Sequence, residues 1–357
     1  MTGSHGRRLL VRAPNWLGDI LMALPALAGL RHHFGGDTLA LAVPAAYGLL
    51  ARSIPGVDEV VPLRGGSSWA SLRADADTLR AGRFDRGLLL TNSFGSALVF
   101  WWAGIPERWG YRRDGRGWLL TRAVPRGAGR TGDSRHHSEY YVRLVRALGV
   151  ERMPPSPRLR VGDGSILRAR RLLETLGVGD RPLVGLAPGA AFGHAKRWPP
   201  AQVAALVDRL VAETEAACVL VGSAGDRDVV SAIESRVGPH AKGTSRDPRL
   251  VSLVGRTDVD EVMGLIALCR AFVSNDSGAM HLSAAIGVHV TAIFGPTDER
   301  ATSPLGPHTI VTHDVWCRPC HLRDCPIDHR CMTRIPVDTV FASAKAALDQ
   351  AAGGASR

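Results

Sequence analysis

The chain has 357 residues, 45% hydrophobic and 22% charged, a balance that suits two folded domains and excludes a disordered chain. Its apolar runs, such as Leu98–Gly104 (LVFWWAG), fall far short of the roughly 20 residues that a membrane-crossing helix needs. The net charge of +11 lies wholly in residues 1–180, where 26 Arg or Lys face 15 Asp or Glu, so the first half suits an anionic partner unless the surplus is only a solvated face.

In chain order, Met1–Leu10 carries charge and glycine and runs straight into a strand, unlike a secretory leader, so a cytoplasmic location is expected. Strand patterns at Leu9–Val11, Leu39–Val43, Glu59–Leu63 and Gly87–Leu90 alternate with helices, including Asp19–Phe34 and Ser138–Leu148. The three prolines of Glu151–Arg160 mark a linker, closing a first domain of 1–160. The second half repeats the alternation, with strands at Leu183–Ala187, Cys218–Val221, Leu250–Val254, Ala271–Ser274 and Val290–Phe294. Helices are expected at Ala201–Glu213, Asp226–Arg236, Val259–Leu268 and Ala279–Ile286. Unbroken apolar strands with helices between them imply parallel sheets covered on both faces. The fold class is therefore α/β, two doubly wound Rossmann-like domains (1–160 and 161–335) facing across a cleft at the carboxyl ends of their strands. A final helix, 336–352, is read as able to pack back onto the first domain.

Four segments carry chemistry. Pro14-Asn15-Trp16-Leu17-Gly18-Asp19 follows the first strand; Gly18 permits a tight turn, and Asp19 is either a helix cap or a general base facing the cleft. Pro188–Trp198 (PGAAFGHAKRW) is a small-residue loop whose backbone amides, with Lys196 and Arg197, suit a diphosphate. Ser274–Leu282 (SNDSGAMHL) starts a helix capped by Asp276 or Ser277, and such a helix end favours phosphate. Two such loops at neighbouring strand ends make a stronger case than either alone. The fourth, within 317–331, has Cys317, Cys320, Cys325 and Cys331 in the spacing C-x2-C-x4-C-x5-C, with His321 and His329 among them. It is open to three readings: a packed reduced cluster, a structural zinc site, or disulfides, the last disfavoured in a reducing compartment.

Together the stretches PNWLGDILMALPAL, TNSFGSALVFWWAGIPERWGY, PGAAFGHAKRWP, VGSAGDRD, SNDSGAMHLSAAIG, IFGPTDERATSPLG and WCRPCHLRDCPIDHRCM resemble the ADP-heptose:lipopolysaccharide heptosyltransferases of glycosyltransferase family 9, most closely the type II branch. They span about residues 10–335. The resemblance implies a GT-B fold and inverting transfer of heptose from ADP-heptose to a phosphorylated heptosyl-Kdo-lipid A intermediate, at the cytoplasmic face of the inner membrane. It implies Asp19 as general base, with Asn15, Trp16, Gly18, Asn92 and Ser93 toward the acceptor. Toward the donor it implies Lys196, Ala190, Ala191, Asp276, Ser277, Gly278 and His281. Ser277 stands where many relatives carry Thr, and Ala190 and Ala191 where some carry hydroxyls. No Asp-x-Asp pair faces the phosphate loops, so no cofactor is required, a structural zinc being only one reading of the cysteine segment, and no nucleic-acid partner is expected. The competing readings are a nucleotide-sugar epimerase of like architecture, a type I or III heptosyltransferase, and a zinc-containing nucleic-acid-binding module using the basic first half.

Overall fold

The computed structural model describes residues 6–125, 127, 136–244 and 247–354, in two compact units divided after Arg160. In the first unit, β1 (Arg8–Arg12) leads into α1 (Leu17–Met22) and α2 (Leu24–His33), where the sequence period suggests one helix over Asp19–Phe34. Pro25 accounts for the break. It sits in the first turn of α2, has no N–H to give the Leu21 carbonyl, and its ring would crowd that oxygen. There follow β2 (Thr38–Pro44), α3 (Gly48–Arg52), β3 (Glu59–Leu63), α4 (Trp69–Ala81), β4 (Arg86–Leu89), α5 (Phe94–Trp102), β5 (Glu107–Tyr111), β6 (Arg122–Val124) and α6 (Ser138–Ala147).

All six strands pair in parallel in the order β3-β2-β1-β4-β5-β6. The winding direction reverses between β1 and β4, so the loops leaving these two strands diverge and open a crevice. Leu9, Leu10, Val11 and Leu39 to Val43 are all buried, the mark of strands covered on both faces. The stretch Glu151–Arg160 has no regular structure yet is tied down. The Arg160 amide donates to Ser53 O at 2.8 Å, and a Cβ on Gly29 would come within 2.6 Å of Met153 Sδ.

The second unit opens with α7 (Asp163–Thr175), β7 (Leu183–Ala187), α8 (Pro200–Glu213), β8 (Ala217–Leu220), α9 (Arg227–Glu234) and α10 (Pro239–Lys242). A two-residue antiparallel pair follows, β9 (Gly243–Thr244) with β10 (Asp247–Pro248), then β11 (Leu250–Ser252), α11 (Val259–Leu268), β12 (Cys269–Asn275) and α12 (Gly278–Ile286). β13 (His289–Phe294), α13 (Glu299–Thr302), β14 (His308–Thr312), α14 (Arg330–Thr333) and α15 (Val337–Gly354) complete it. Its main sheet is parallel in the order β11-β8-β7-β12-β13-β14, the same winding, with the reversal between β7 and β12.

The final helix, α15, packs on β12, β13 and α8 of its own unit. Val340, Phe341, Ala344, Ala347 and Leu348 sit in the second unit's core beside Val207 and Leu210. Burying a side chain such as Phe341 contributes about 1.5–3 kcal/mol, which fixes the helix on that sheet. Among the described residues no helix is long and apolar enough to cross a membrane.

Candidate active site

In the first unit the loops leaving β1 and β4 border a cavity of about 480 Å³. Asn15, Trp16, Asp19, Asn92 and Ser93 line it, together with Arg113, His137, Tyr140 and Tyr141. Trp16 ends the loop as the N-cap of α1, and Asp19 lies in that helix's first turn. The Asp19 carboxylate does not cap the helix; it faces His137, with Nε2 at 3.6 Å from Oδ1. Burial raises the Asp19 pKa above the usual carboxylate range, the nearby His137 pulling the other way. Burial likewise lowers the His137 pKa, against the attraction of Asp19. Desolvation outweighs the pair's attraction at both groups, and a carboxylate raised in this way is a better proton acceptor.

The surrounding groups are held from several elements. Arg12 donates to Asn15 Oδ1 at 2.7 Å, and Tyr140 Oη donates to Asn92 Oδ1 at 2.8 Å. His137 stacks on Tyr140 with centroids 5.8 Å apart and an interplanar angle of 9°, and Tyr141 Oη lies 3.4 Å from its Nε2. Ser93 caps α5 by accepting from the Ser96 amide, and the buried Arg116 guanidinium donates to the Ser93 carbonyl at 3.4 Å. Gly18 departs from the sequence reading. It lies inside α1, is not among the positive-φ glycines, and does not line the cavity.

In the second unit the Pro188–Trp198 loop leaves β7 and the Asp276–Gly278 turn leaves β12, its direct neighbour in the sheet. The two loops are bonded together. Asn275 Nδ2 donates to Pro188 O at 2.7 Å, and its Oδ1 accepts from the Trp198 amide at 3.1 Å. Lys196 Nζ lies 2.5 Å from Asp276 Oδ2, which also accepts from Thr297 Oγ1 at 2.8 Å. Both charged side chains are largely buried, at 12% and 6% exposure. Lys196 also sits 4.8 Å over the Phe192 ring, and Arg197 is 3.6 Å from Asp226. At Gly189 any Cβ would stand 2.2 Å from Asp226 Oδ1, so only glycine lets the loop approach this closely.

Capping of α12 differs from expectation. Ser277 is the N-cap residue, but neither it nor Asp276 gives the helix a side-chain cap; Asp276 is drawn to Lys196, and Ser277 Oγ lies 3.1 Å from Ser274 Oγ. The first turn of α12, beginning at Gly278, has no side-chain cap, and an uncapped helix start of this kind suits an anion. His281 is buried in the same helix, and within the loop Ala190 is buried and Ala191 exposed.

The cysteine-rich segment packs on the Lys196 loop. Arg323 O accepts from the Ala195 amide at 2.9 Å, His329 Nε2 lies 2.6 Å from Ala195 O, and a Cβ on Gly193 would meet Arg323 O at 2.4 Å. Arg318 anchors the other side, donating to Gly295 O at 2.7 Å and Glu299 Oε2 at 2.6 Å. All four thiols are free, and Cys331 is buried. Burial, then the neighbouring Cys317, Cys320 and Cys325, raise the Cys331 pKa to about 11. The thiols are near enough to feel one another's charge. They do not converge as ligands: among the described residues no three His, Cys, Asp or Glu side chains form a metal-holding group. The zinc reading of this segment is therefore not shown, and its cysteines are not disulfide-bonded.

His137, Tyr140, Tyr141 and Arg113 are absent from the sequence-derived site. The first three had a signal, since His137, the N-cap of α6, and Tyr140 and Tyr141 within it fall at helical spacing i, i+3, i+4 and so share a face.

Comparison with known proteins bears on the family and the fold. Residues 72–330 match glycosyltransferase family 9 (heptosyltransferase). The chain is 32% identical over 305 residues to lipopolysaccharide heptosyltransferase 2 of Escherichia coli, covering 84% of this chain and 85% of that one. It is 28% identical over 322 residues to lipooligosaccharide heptosyltransferase 2 of Haemophilus ducreyi, covering 85% and 88%. The solved structure of the E. coli ADP-heptose lipopolysaccharide heptosyltransferase II superposes with a TM-score of 0.80 at 29% identity, covering 96% of this chain and 99% of that one. These matches favour a transferase over the epimerase and nucleic-acid readings.

Proposed function

The chain belongs to glycosyltransferase family 9 and has its GT-B fold, and from that premise we propose that it transfers L-glycero-D-manno-heptose from ADP-heptose to a heptosyl-Kdo-lipid A acceptor, with inversion. The observation that carries the mechanism is Asp19, a carboxylate with a burial-raised pKa in a cavity at the carboxyl end of β1. Asp19 takes the proton of the acceptor hydroxyl as its oxygen attacks the donor's anomeric carbon. The bond from that carbon to the diphosphate breaks, and ADP leaves with the electron pair. Lys196, fixed by Asp276, and the uncapped start of α12 stabilise the charge that develops on the leaving diphosphate. His137 and the two tyrosines orient Asp19, while Asn15, Asn92, Ser93 and Arg113 supply polar contacts to the acceptor.

We assign acceptor binding to the first unit and donor binding to the second. Residues 1–160 hold 23 Arg against 12 Asp or Glu, whereas residues 161–357 are balanced at 21 each. This asymmetry supports a phosphorylated acceptor at an anionic membrane face and a peripheral cytoplasmic location. The test is ADP release from ADP-heptose with and without acceptor. Release that requires acceptor supports transfer; an epimerised donor formed without acceptor contradicts it.

A further inference from the structure

The first unit exposes Trp69, Phe94, Trp101 and Trp118 outside its core and cavity, with Trp102, which packs partly on the core, among them. Phe94 and Trp101 lie two turns apart on α5, and both approach Trp118, with centroids 6.1 and 6.4 Å from it. Next to Trp101, Trp102 meets Trp69 of α4 at 5.7 Å. Trp69, Trp101 and Trp118 are 69%, 47% and 68% exposed. Exposed tryptophans joined in one stripe are costly in water unless something covers them. Arginines border the stripe. Arg73 lies 5.1 Å over the Trp102 ring, and Arg64, Arg112 and Arg122 are exposed on the adjoining segments. Between residues 108 and 122 there are five arginines and one acidic residue, Asp114.

We propose that this stripe is a docking surface for an anionic bilayer, with the tryptophans seated at the headgroup level and the arginines paired with lipid phosphates. Trp suits that depth because its ring is apolar and its N–H needs a polar partner, and Arg adds attraction to anionic lipid. α5 links the stripe to the cavity: its N-cap, Ser93, lines the Asp19 cavity, and its body carries Phe94 and Trp101. A membrane-borne acceptor would then reach the cavity without leaving the bilayer surface. That last step rests on the proposed acceptor; the surface itself does not.

The test uses the full chain with vesicles of phosphatidylcholine alone or with a quarter phosphatidylglycerol. The wild type should cosediment with anionic vesicles, show a blue-shifted tryptophan emission, and release at high salt, where screening lengths shrink to a few ångström. Trp101→Ser with Trp118→Ser should lower partitioning by about tenfold or more. Arg112→Gln with Arg122→Gln should weaken binding to anionic vesicles while leaving the fold intact. Leu167→Ser, which removes an exposed apolar side chain of α7, should bind like wild type. Undiminished vesicle binding by both double variants would overturn the proposal. So would a solution dimer that the tryptophan variant converts to monomer, since a second copy would then cover the stripe. With a delipidated, water-soluble acceptor the tryptophan variant should keep wild-type turnover, and with acceptor in vesicles it should lose it. A wild type inactive on both acceptors would sink the proposed transfer reaction while vesicle binding still decides the surface.

Discussion

Replacing Lys196 separates what the buried pair does for folding from what it does for the donor. Lys196→Met keeps the apolar stem but leaves the Asp276 carboxylate, 6% exposed, without its cationic partner while Thr297 still donates to it. Breaking a pair this deeply buried costs about 3–5 kcal/mol. For a unit of this size each kcal/mol lowers the melting temperature by about 2–4 °C, so a fall of roughly 6 °C or more is expected. Adding Asp276→Asn removes the orphaned charge, and stability should return to within about 1–2 kcal/mol of wild type. ADP affinity should behave differently. Losing a charge-assisted bond to phosphate costs about 1.5–3 kcal/mol, roughly a 10- to 150-fold weaker Kd, and the double variant should not recover it. Thermal melts and calorimetry with ADP read the two effects separately. A wild-type melt for Lys196→Met, or full ADP affinity in the refolded double variant, would refute the reasoning.

Asp19→Asn should cut turnover by about 10²–10⁴-fold with donor affinity unchanged, measured by steady-state ADP release and calorimetry; retention of a third of the activity would demote Asp19 from base. Because the Asp19 pKa is raised, kcat/KM should fall as pH drops through a value above the usual carboxylate range, since the protonated acid cannot accept a proton. His137→Gln removes a charge that holds that pKa down, so the acidic limb of the pH profile should move to higher pH; an unmoved limb would uncouple the two groups. Cys331→Ser places a hydroxyl at a 6% exposed core position and should lower stability by about 1–3 kcal/mol, with Lys196-loop exchange of amide hydrogens rising alongside; unchanged exchange would separate the cysteine segment from the loop.

The sequence revealed what depends on local pattern. Leu9–Val11 and Leu183–Ala187 are buried apolar runs, and their strands stand at the centres of both sheets. The adjacency of the two phosphate-suited loops also followed, because β7 and β12 are the strands at which a doubly wound sheet reverses. Edge strands were harder to see. β5 (ERWGY) mixes charge and glycine, β6 has three residues, and β14 (HTIVT) sits at a half-exposed margin, so none shows a continuous apolar run. Partnerships across long separations were invisible. Asp276 reads as a cap but pairs with Lys196, 80 residues away, and Tyr140 orients Asn92 across 48 residues. The cysteine spacing left a reduced cluster, zinc and disulfides open, and it gave no sign of the segment's hydrogen bonds with Ala195, Gly295 and Glu299.

The most direct measurement is mass spectrometry of acceptors after incubation of the purified chain with ADP-heptose, offering Kdo-lipid A and heptosyl-Kdo-lipid A side by side. The account predicts addition of one heptose to the heptosylated acceptor, with stoichiometric ADP, and none of this with Asp19→Asn. Heptose added to neither acceptor, or added equally well by Asp19→Asn, would contradict it.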